Sequence, residues 1–470
     1  MTSTTLDLVI IGGGPGGYGA ALYAASAGLS VALVEKDTVG GTCLNRGCIP
    51  AKAMLESAAV LRKTLDAEQF GVVCGSPTID FSKVQDRKQR LVSGIVTGLS
   101  NLLTNKKNLS LFTGTGTLLR AGVVSVRASD GSLLEVESAA VVLAPGSAPH
   151  SIPGFEPSAA GPVYTSDEAL DFRSIPDRIA IIGGGVVGVE FASLFADVGA
   201  EVTILESQDA ILPSVDREIS DIVARALKRR RVDARTATHV TGHSPRASGG
   251  TTIHLDGHAD LEVDAVIVCV GRRPATRNVA NTDSGVTIDK GEFIEVDALC
   301  RTAASGVYAV GDAIDTPQLA HVAYAEAVVA VKGILGEEPL PIDYANVPLA
   351  IYSHPEVASV GYTEDAAIAL GYDVLVARQS FRTASRAQIV GETEGAVKVI
   401  ARKQPDGTAG EVLGVHMCGP WVTEQLSGAY LALNWQATVD EIANLVQPHP
   451  TFTELFGETV LSLTGRHLNA

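Results

Sequence analysis

The chain has 470 residues and a formal net charge of −17, from 36 Lys and Arg against 53 Asp and Glu. A chain this acidic repels phosphate backbones and anionic lipids, so we expect neither a nucleic-acid partner nor a membrane partner. No apolar run reaches the roughly 20 residues that cross a bilayer, and Met1–Asp7 has no basic residue ahead of an apolar stretch, so we predict no secretory signal and expect a cytoplasmic location.

The first predicted unit is a strand, a glycine-rich turn, a helix and a second strand. Branched residues at Leu6–Ile11 predict the first strand, and the Ala-rich segment Tyr18–Gly28 predicts the helix. Leu29–Val34 predicts the second strand, which Glu35 ends. The turn has the G-x-G-x-x-G spacing of a dinucleotide-binding fingerprint at Gly12, Gly14 and Gly17.

The same unit recurs about 170 residues later. Arg178–Ile182 predicts a strand, Val189–Gly199 a helix and Glu201–Leu205 a second strand, followed by Glu206. The turn of this copy carries the fingerprint at Gly183, Gly185 and Gly188. Two copies in the same strand–helix–strand context are far more specific than one and predict two nucleotide-binding domains in tandem.

Each predicted turn suits a phosphate. Glycines let the ligand approach the backbone, and the free N–H groups and dipole of the helix N-terminus attract its negative charge. A carboxylate at the end of the second strand accepts hydrogen bonds from a ribose diol. Because Glu206 would repel a 2′-phosphate and Ser207-Gln208 follow it in place of an arginine, the second unit is predicted to prefer NAD(H) over NADP(H).

Further elements are predicted between and after the two units. Spaced apolar residues over Phe81–Asn105 predict a long helix, and alternation over Val123–Val136 predicts an antiparallel hairpin. Apolar runs predict buried strands at Ala140–Ala144 and, after the second unit, at Ala265–Val270. The last 120 residues or so mix strands and helices without a third glycine fingerprint, so they need a different role.

Two of the six cysteines stand close together, directly after the first unit. Cys43 and Cys48 enclose four residues, and so short a loop would stabilise little as a disulfide, which favours a redox role. Arg46, Lys52 and a helix N-terminus after Cys48 would favour the thiolate. The alternative is a pair of free core cysteines. A zinc site lacks a second pair of ligands at the right spacing, and no metal site is predicted.

These segments together resemble the pyridine nucleotide–disulfide oxidoreductases. The resemblance runs from about Asp7 to the last twenty residues and depends most on the cysteine motif at 40–52 after a nucleotide fingerprint. The stretch Ser385–Ala387 and the final motif His449–Glu454 favour the lipoamide branch, the dihydrolipoamide dehydrogenases. The other supporting stretches are Ala144–Ser147, Val270–Pro274, Tyr308–Asp312, Leu319–His321 and His354–Gly361.

The resemblance implies two cofactors, with FAD on the first fingerprint and NAD on the second. Glu35 would bind the adenosine ribose of FAD, Asp312 its ribityl chain, and Glu206 the ribose of NAD. Lys52 and Glu190 would form a pair near the reactive edge of the flavin. The residues that the resemblance assigns to the cofactors are Gly12, Gly14, Gly17, Glu35, Lys52, Gly146, Asp312, Ala320, Gly183, Gly185, Gly188, Glu190, Glu206 and Gly271.

The resemblance also implies the catalytic groups. Cys43 would exchange with the substrate, and Cys48 would lie against the flavin as a charge-transfer thiolate. His449 would be the acid and base, oriented by Glu454, and would reach the cysteines of the other subunit. Thiol–disulfide exchange does need a base that titrates near pH 7, which histidine supplies. The family often has a second histidine two residues earlier, where this chain has Gln447, which can form hydrogen bonds but cannot act as a base.

The predicted fold is α/β, with two Rossmann-like domains and a C-terminal α+β dimerisation domain. The predicted boundaries are 1–150 for the FAD domain, 151–275 for the NAD domain, 276–345 for a central region that joins the FAD domain, and 346–470 for the interface domain. The predicted assembly is a homodimer. The predicted partners are a dithiol substrate, free or carried on a lipoyl domain, and the core of a 2-oxoacid dehydrogenase complex.

The predicted function is oxidation of dihydrolipoamide by NAD⁺ through a Cys43–Cys48 disulfide and FAD. One alternative is an NAD(P)H-dependent reductase of another small disulfide. The other is a nucleotide-binding redox sensor without catalysis, which would need the fingerprints but neither the cysteine pair nor His449 and Glu454.

Overall fold

The computed structural model describes residues 6–158 and 161–468. The architecture is α/β, as predicted, with two sheets built on parallel strands and an antiparallel sheet after them. Residues 1–5 are outside the described part, so the prediction that Met1–Asp7 is no secretory signal falls largely outside it. Of the helices in the described ranges, none has the combination of length and hydropathy needed to cross a membrane.

The first unit forms one sheet with helices around it. Four of its strands follow the order β3-β2-β1-β6 and run parallel, and β5 and β4 extend the sheet in antiparallel fashion. The elements are β1 Leu6–Ile11, α1 Pro15–Ser26, β2 Val31–Glu35, α2 Gly41–Arg46, α3 Cys48–Leu65, α4 Phe81–Thr104, β3 Leu109–Thr113, β4 Thr115–Arg120, β5 Val123–Arg127, β6 Leu133–Leu143 and β7 Ser147–Pro149.

The predicted hairpin and the predicted strand Ala140–Ala144 share a single strand, β6. Its first half pairs with β5, and its second half enters the parallel sheet beside β1. The sequence changes pattern after Ala139, from alternation to an apolar run from Ala140 that is buried on both faces, so the one strand was predicted as two. Helix α1 begins at Pro15, three residues before its prediction, because proline is well tolerated in the first helical turn.

The second unit repeats the arrangement. All strands of its main sheet run parallel, in the order β11-β10-β9-β15-β8, and β12–β14 form a small antiparallel sheet. The elements are β8 Val163–Thr165, α5 Ser166–Ala169, β9 Arg178–Ile182, α6 Val186–Asp197, β10 Glu201–Leu205, α7 Arg217–Arg229, β11 Asp233–Arg235, β12 Val240–Pro245, β13 Thr251–Leu255, β14 Leu261–Val263, β15 Ala265–Val268 and β16 Arg272–Pro274.

The chain then returns to the first sheet. Strand β17 (Val307–Ala309) pairs in parallel with the inner half of β6, and helix α8 (Ala320–Ile334) packs against α1. Because parallel strands end at one edge, this return places the loop after β17 beside the loops after β1 and β6. The pairing agrees with a central region that joins the FAD domain, while its predicted limits stay a prediction.

The C-terminal region is an antiparallel sheet covered by helices. The strand order is β18-β19-β22-β21-β20, and α11 and α13 pack on the sheet around a core that includes Phe381, Val397 and Met417. The elements are β18 Leu349–Ile351, β19 Glu356–Gly361, α9 Glu364–Ala369, β20 Val374–Ser380, α10 Ser385–Val390, β21 Ala396–Lys403, β22 Ala409–Gly419, α11 Val422–Asn434, α12 Val439–Ala443 and α13 Glu454–Ser462.

A buried ion cluster joins this C-terminal region to the second unit. Lys398 on β21 is 4% exposed, and its Nζ lies 2.9 Å from Asp216 Oδ2, at the N-terminus of α7. The same Nζ lies 3.1 Å from Glu218 Oε1 and 2.8 Å from Glu364 Oε2. A charge held by three carboxylates at a domain junction fixes the two regions against each other.

We expect Lys398→Met to lower the free energy of unfolding by about 3–5 kcal/mol, because it leaves the buried Asp216 carboxylate without its cation. Urea denaturation measures the change. Lys403→Met is the matched control on the same strand, because the pair of Lys403 and Asp373 is exposed and should contribute at most about 1 kcal/mol. Equal losses in the two variants would contradict a special role for the buried cluster.

Candidate active site

The first glycine turn is a close-packed bend that leaves a space at the helix N-terminus. A Cβ on Gly12 would lie 2.0 Å from the Ala144 carbonyl oxygen, and one on Gly17 would lie 1.7 Å from the Gly12 oxygen, so neither position tolerates a side chain. A Cβ on Gly14, by contrast, would meet only Gly41 Cα, at 3.7 Å. Gly14 precedes α1 without a side-chain cap, so free N–H groups face that space.

The second turn repeats this geometry. A Cβ on Gly183 would lie 2.4 Å from the Cys269 oxygen, and one on Gly188 would lie 2.0 Å from the Gly183 oxygen. A Cβ on Gly185 would meet no atom within 4 Å, and Gly185 again precedes its helix without a side-chain cap. Both turns therefore fit a phosphate or diphosphate at an uncapped helix N-terminus.

The carboxylates at the strand ends are fixed by the turns themselves. Glu35 accepts hydrogen bonds from the Gly13 N–H at 2.6 Å and the Asp37 N–H at 2.8 Å. Glu206, which is 6% exposed, accepts equivalent bonds from the Gly184 and Gln208 N–H groups, both at 2.7 Å. A carboxylate has about four lone-pair sites, so each keeps acceptor capacity for a ribose diol.

The cysteine pair lies next to the first turn. Cys43 is on α2 and Cys48 is the first residue of α3, as the sequence predicted for a helix N-terminus there. The Cys43 thiol donates a hydrogen bond to the Cys48 sulfur, and this bond and the Lys52 ammonium lower the pKa of Cys48 to about 7 against the effect of burial. The same bond, together with burial, raises the pKa of Cys43. Of the two thiols, Cys48 therefore has the lower pKa.

Lys52 supplies the positive charge beside Cys48. Its Nζ lies 2.8 Å from Glu190 Oε2 and 5.0 Å from the centre of the Tyr352 ring. Glu190 is 7% exposed and also accepts the Tyr352 N–H at 2.9 Å. Burial lowers the pKa of Lys52, but the Glu190 carboxylate outweighs it and raises the pKa overall, so Lys52 stays charged. Arg46, predicted to help the thiolate, pairs with Asp37 instead.

Three of the remaining predicted cofactor residues lie beyond the carboxyl edge of the first sheet, and the fourth, Gly271, follows β15 of the second sheet. Asp312 follows β17, and Ala320 begins α8, whose N-terminus has no side-chain cap. Gly146 and Gly271 both have positive φ, and an added Cβ on either would meet nothing within 4 Å. Gly146 and Gly271 thus leave room for a ligand at the backbone, while the roles of all four residues stay predictions.

Two polar residues that the sequence reasoning left unassigned connect these groups. The Ser147 hydroxyl donates to the Asp312 carboxylate, and Arg272 Nε donates to Ser147 Oγ at 2.7 Å. Arg272 also donates to Thr42 Oγ1 at 3.3 Å, next to Cys43. Their positions within the family stretches Ala144–Ser147 and Val270–Pro274 were the available signal. Their contact depends on the β7–β16 ribbon, which joins segments about 125 residues apart.

A third unassigned residue, Glu326, holds the loop that carries Asp312. Glu326 is fully buried on α8 and accepts the Gly311 N–H at 2.6 Å, the Thr316 hydroxyl at 2.7 Å and the Tyr344 hydroxyl at 3.0 Å. Burial raises the pKa of this carboxyl, and the three donors oppose that effect. A lone glutamate inside the apolar segment 320–334 was its only sequence signal.

The predicted acid–base pair is formed at the C-terminus. His449 Nδ1 lies 2.7 Å from Glu454 Oε2, and Glu454 is the buried first residue of α13. The imidazole is 68% exposed, so it is presented outward from this subunit. The side chain of Gln447 lies against Gly457 of α13, where an added Cβ would be 2.8 Å away. Gln447 therefore supports the turn before His449.

Three comparisons with known proteins agree with this geometry. The family model described as pyridine nucleotide-disulphide oxidoreductase matches residues 6–327, and its dimerisation domain matches residues 347–460. The chain belongs to this family. The resemblance, the α/β fold class, the prediction of an enzyme acting on disulfides and the cofactor prediction of FAD and NAD are thereby confirmed, and the dimerisation domain supports the homodimer.

Individual relatives in this family match almost the whole of this chain. A dihydrolipoyl dehydrogenase of Bacillus subtilis is 38% identical over 99% of this chain and 100% of its own length. A dihydrolipoyl dehydrogenase from Chlamydia muridarum is 36% identical over 97% of this chain and 96% of its own length. Among solved structures, LpdA from Mycobacterium tuberculosis has a TM-score of 0.90 at 25% identity, covering 98% of this chain and 100% of its own. The flavoprotein disulfide reductase RclA from Escherichia coli has a TM-score of 0.88 at 27% identity, and the match covers 98% of this chain and 99% of RclA.

Proposed function

We propose that the chain oxidises dihydrolipoamide, free or carried on a lipoyl domain, with NAD⁺ as the acceptor. The observation that carries the proposal is the pair of Cys43 and Cys48, in which Cys48, the thiol of lower pKa, begins a helix beside Lys52, with the first glycine turn next to the pair. The relatives named dihydrolipoyl dehydrogenase, at full length, support the same substrate.

Residues of this chain can carry out the whole thiol–disulfide exchange. One thiolate of the substrate attacks Cys43 in the Cys43–Cys48 disulfide, forms a mixed disulfide and releases Cys48 as a thiolate. The second substrate thiol, deprotonated by His449, attacks the mixed disulfide, closes the substrate disulfide and releases Cys43, which takes up a proton. Two electrons have then passed from the substrate to the cysteine pair.

The other site residues prepare that chemistry. Bound FAD would supply the electron and hydride transfer between the cysteine pair and NAD⁺. The first turn, Glu35 and Asp312 would hold it, and the second turn and Glu206 would hold NAD. Lys52 keeps its charge through Glu190 and so stabilises the Cys48 thiolate. Glu454 binds Nδ1 of His449 and so fixes the tautomer and the orientation of the imidazole.

We expect the long-wavelength charge-transfer band of the reduced enzyme to bleach as the pH falls through about 7, the pKa of Cys48. The band requires the thiolate, and a lowered pKa keeps the thiolate present above that pH and removes it below. An anaerobic spectrophotometric titration after reduction with dihydrolipoamide measures this. A band that persists unchanged to pH 5, or a wild-type protein without any band, would contradict the assignment of the thiolate.

We expect wild type to prefer NADH over NADPH, and Glu206→Ala with Gln208→Arg to reverse that preference. Removing the carboxylate relieves repulsion of a 2′-phosphate, and the new arginine can bind it, which together should change the ratio of kcat/KM by about 10- to 100-fold. Glu206→Ala alone is the control, because it also removes the acceptor of two turn N–H groups. A wild-type preference for NADPH would overturn the assignment.

The deciding experiment is a steady-state panel. Dihydrolipoamide oxidation with NAD⁺ and with NADP⁺ is compared with NADH- and NADPH-driven reduction of lipoamide, glutathione disulfide and cystine. The similarity to a disulfide reductase, RclA, makes the reverse direction the second candidate. Turnover confined to another small disulfide would favour that candidate over the dehydrogenase. A 2-oxoacid dehydrogenase complex as partner and a cytoplasmic location remain parts of this proposal.

A further inference from the structure

Two tyrosines meet across helices α1 and α8. The hydroxyl groups of Tyr18 and Tyr324 are hydrogen-bonded to each other, and their rings meet edge to face with centroids 5.6 Å apart. Either hydroxyl can be the donor. Because two hydroxyls carry two hydrogens and their mutual bond uses one, the pair keeps one O–H that can donate elsewhere.

The packing around Tyr324 includes a glycine inside a helix. Gly19 lies within α1, where glycine is about 1 kcal/mol less favourable than alanine. A Cβ on Gly19 would lie 2.9 Å from Tyr324 Cδ1, so the ring occupies the space that a side chain would take. The fingerprint requires glycine at 12, 14 and 17 but not at 19. The absence of a side chain at Gly19 therefore leaves the space in which the Tyr324 ring packs.

Tyr18 is on the helix whose N-terminus contacts that of α2, the helix that carries Cys43. The Gly40 N–H donates to the Gly13 oxygen at 2.7 Å, and a Cβ on Gly41 would lie 2.5 Å from Gly14 Cα, so the first turns of α1 and α2 touch. Tyr18 is one helical turn along α1, and Cys43 is two residues along α2. Burial raises the pKa of both phenols, and charge on Cys43 or Cys48 raises it further, so both hydroxyls stay protonated.

We propose that the Tyr18–Tyr324 pair donates its remaining O–H toward whichever sulfur, of Cys43 or Cys48, is negatively charged during dithiol exchange. Tyr324 is the residue that positions Tyr18. This proposal rests on the proposed function and adds a group to its site. The other charged groups facing the cysteines are Lys52 from α3 and Glu190 from α6, and Tyr352 is packed on Lys52. Tyr18 and Tyr324 approach from α1 and α8.

The test uses the reduced holoenzyme and follows the thiols directly. The pH dependence of iodoacetamide alkylation, with the modified cysteine identified by peptide mass spectrometry, is measured for wild type, Tyr18→Phe, Tyr324→Phe and the double variant. Loss of a neutral hydrogen bond to the thiolate should move the midpoint up by about half to one pH unit. The double variant should shift no more than the larger single shift, since the two hydroxyls act as a unit.

Matched variants separate this role from packing. Tyr23→Phe on the same helix should leave the alkylation midpoint unchanged. Gly19→Ala, which favours the helix but displaces the Tyr324 ring, should reproduce the shift of Tyr324→Phe. In turnover, Tyr324→Phe should lower kcat for dihydrolipoamide about fivefold, with NADH-driven reduction of an external dye unchanged.

Two results overturn the inference. One is an alkylation profile in Tyr324→Phe and Gly19→Ala that superimposes on wild type, and the other is a double variant whose shift equals the sum of the single shifts. Failure of the proposed function looks different, because wild type would then not oxidise dihydrolipoamide, while the alkylation midpoints would still report on the tyrosine pair.

Discussion

Serine in place of Cys43 or Cys48 is expected to lower the rate of dihydrolipoamide oxidation to below about a thousandth of the wild-type rate. The hydroxyl of serine neither forms a disulfide nor carries a thiolate near pH 7, so the exchange and the electron transfer lose their only carrier. Stopped-flow and steady-state kinetics with NAD⁺ measure the loss. FAD content should stay at the wild-type level, because the glycine turns that would hold it are untouched.

The two variants should differ in their spectra. Cys43→Ser keeps the Cys48 sulfur at the start of α3 beside Lys52 and should show the charge-transfer band without added reductant. Cys48→Ser should lack the band under all conditions. Reversed spectra would show that Cys43 is the sulfur at the flavin and would exchange the two roles.

Cys74→Ser is the matched control. Cys74 is the exposed cysteine of the described set, and its Sγ donates only a long contact, 3.5 Å, to the Thr64 oxygen. Its replacement should leave turnover and the band at wild-type values. A large loss in Cys74→Ser, or turnover of dihydrolipoamide that survives in Cys43→Ser, would remove the cysteine pair from the mechanism.

The sequence predicted best those features whose physical cause is local. A phosphate cradle needs glycine at fixed offsets, so Gly12, Gly17 and the corresponding pair of the second unit could be placed in close-packed turns before any contact was known. The pairing of His449 with Glu454 was implied by the family resemblance, and five residues of separation allow it. The helix N-terminus at Cys48 followed from the same kind of argument.

The features that the sequence did not reveal depend on contacts between distant segments. Arg272 reaches Ser147 and Thr42 only because the β7–β16 ribbon brings the two nucleotide units together. Lys398 is an ordinary lysine in a strand until α7 supplies carboxylates to it. Arg46 shows the opposite error, since a cation close in sequence to both cysteines pairs with Asp37 instead.

The exposed imidazole of His449 has a further consequence for the assembly. Its Nδ1 is bound to Glu454 within its own subunit, and 68% of the side chain is free of contacts in that subunit. A base for the half-buried thiols of Cys43 and Cys48 has to lie next to them in the active enzyme. The dimerisation domain at 347–460, which contains His449, offers the arrangement in which each imidazole reaches the cysteines of the other subunit.

We therefore expect complementation between defective subunits. His449→Ala should lower dihydrolipoamide oxidation by about 10²- to 10⁴-fold, the usual contribution of a general acid–base group. A mixed dimer of His449→Ala and Cys43→Ser subunits, purified through two different tags, should recover about half of the wild-type rate, because one of its two sites then has both Cys43 and His449.

The reciprocal dimer decides between the two arrangements. A wild-type subunit paired with a subunit that carries both Cys43→Ser and His449→Ala has one defect in each site if the histidine acts across the interface, and should be nearly inactive. If the histidine acted within its own subunit, this dimer would keep half of the wild-type rate and the complementing dimer would keep almost none. Both dimers contain one Cys43→Ser and one His449→Ala substitution, so differences in folding or cofactor content cannot produce opposite results. The two dimers differ only in whether the intact His449 and the intact Cys43 are in the same subunit.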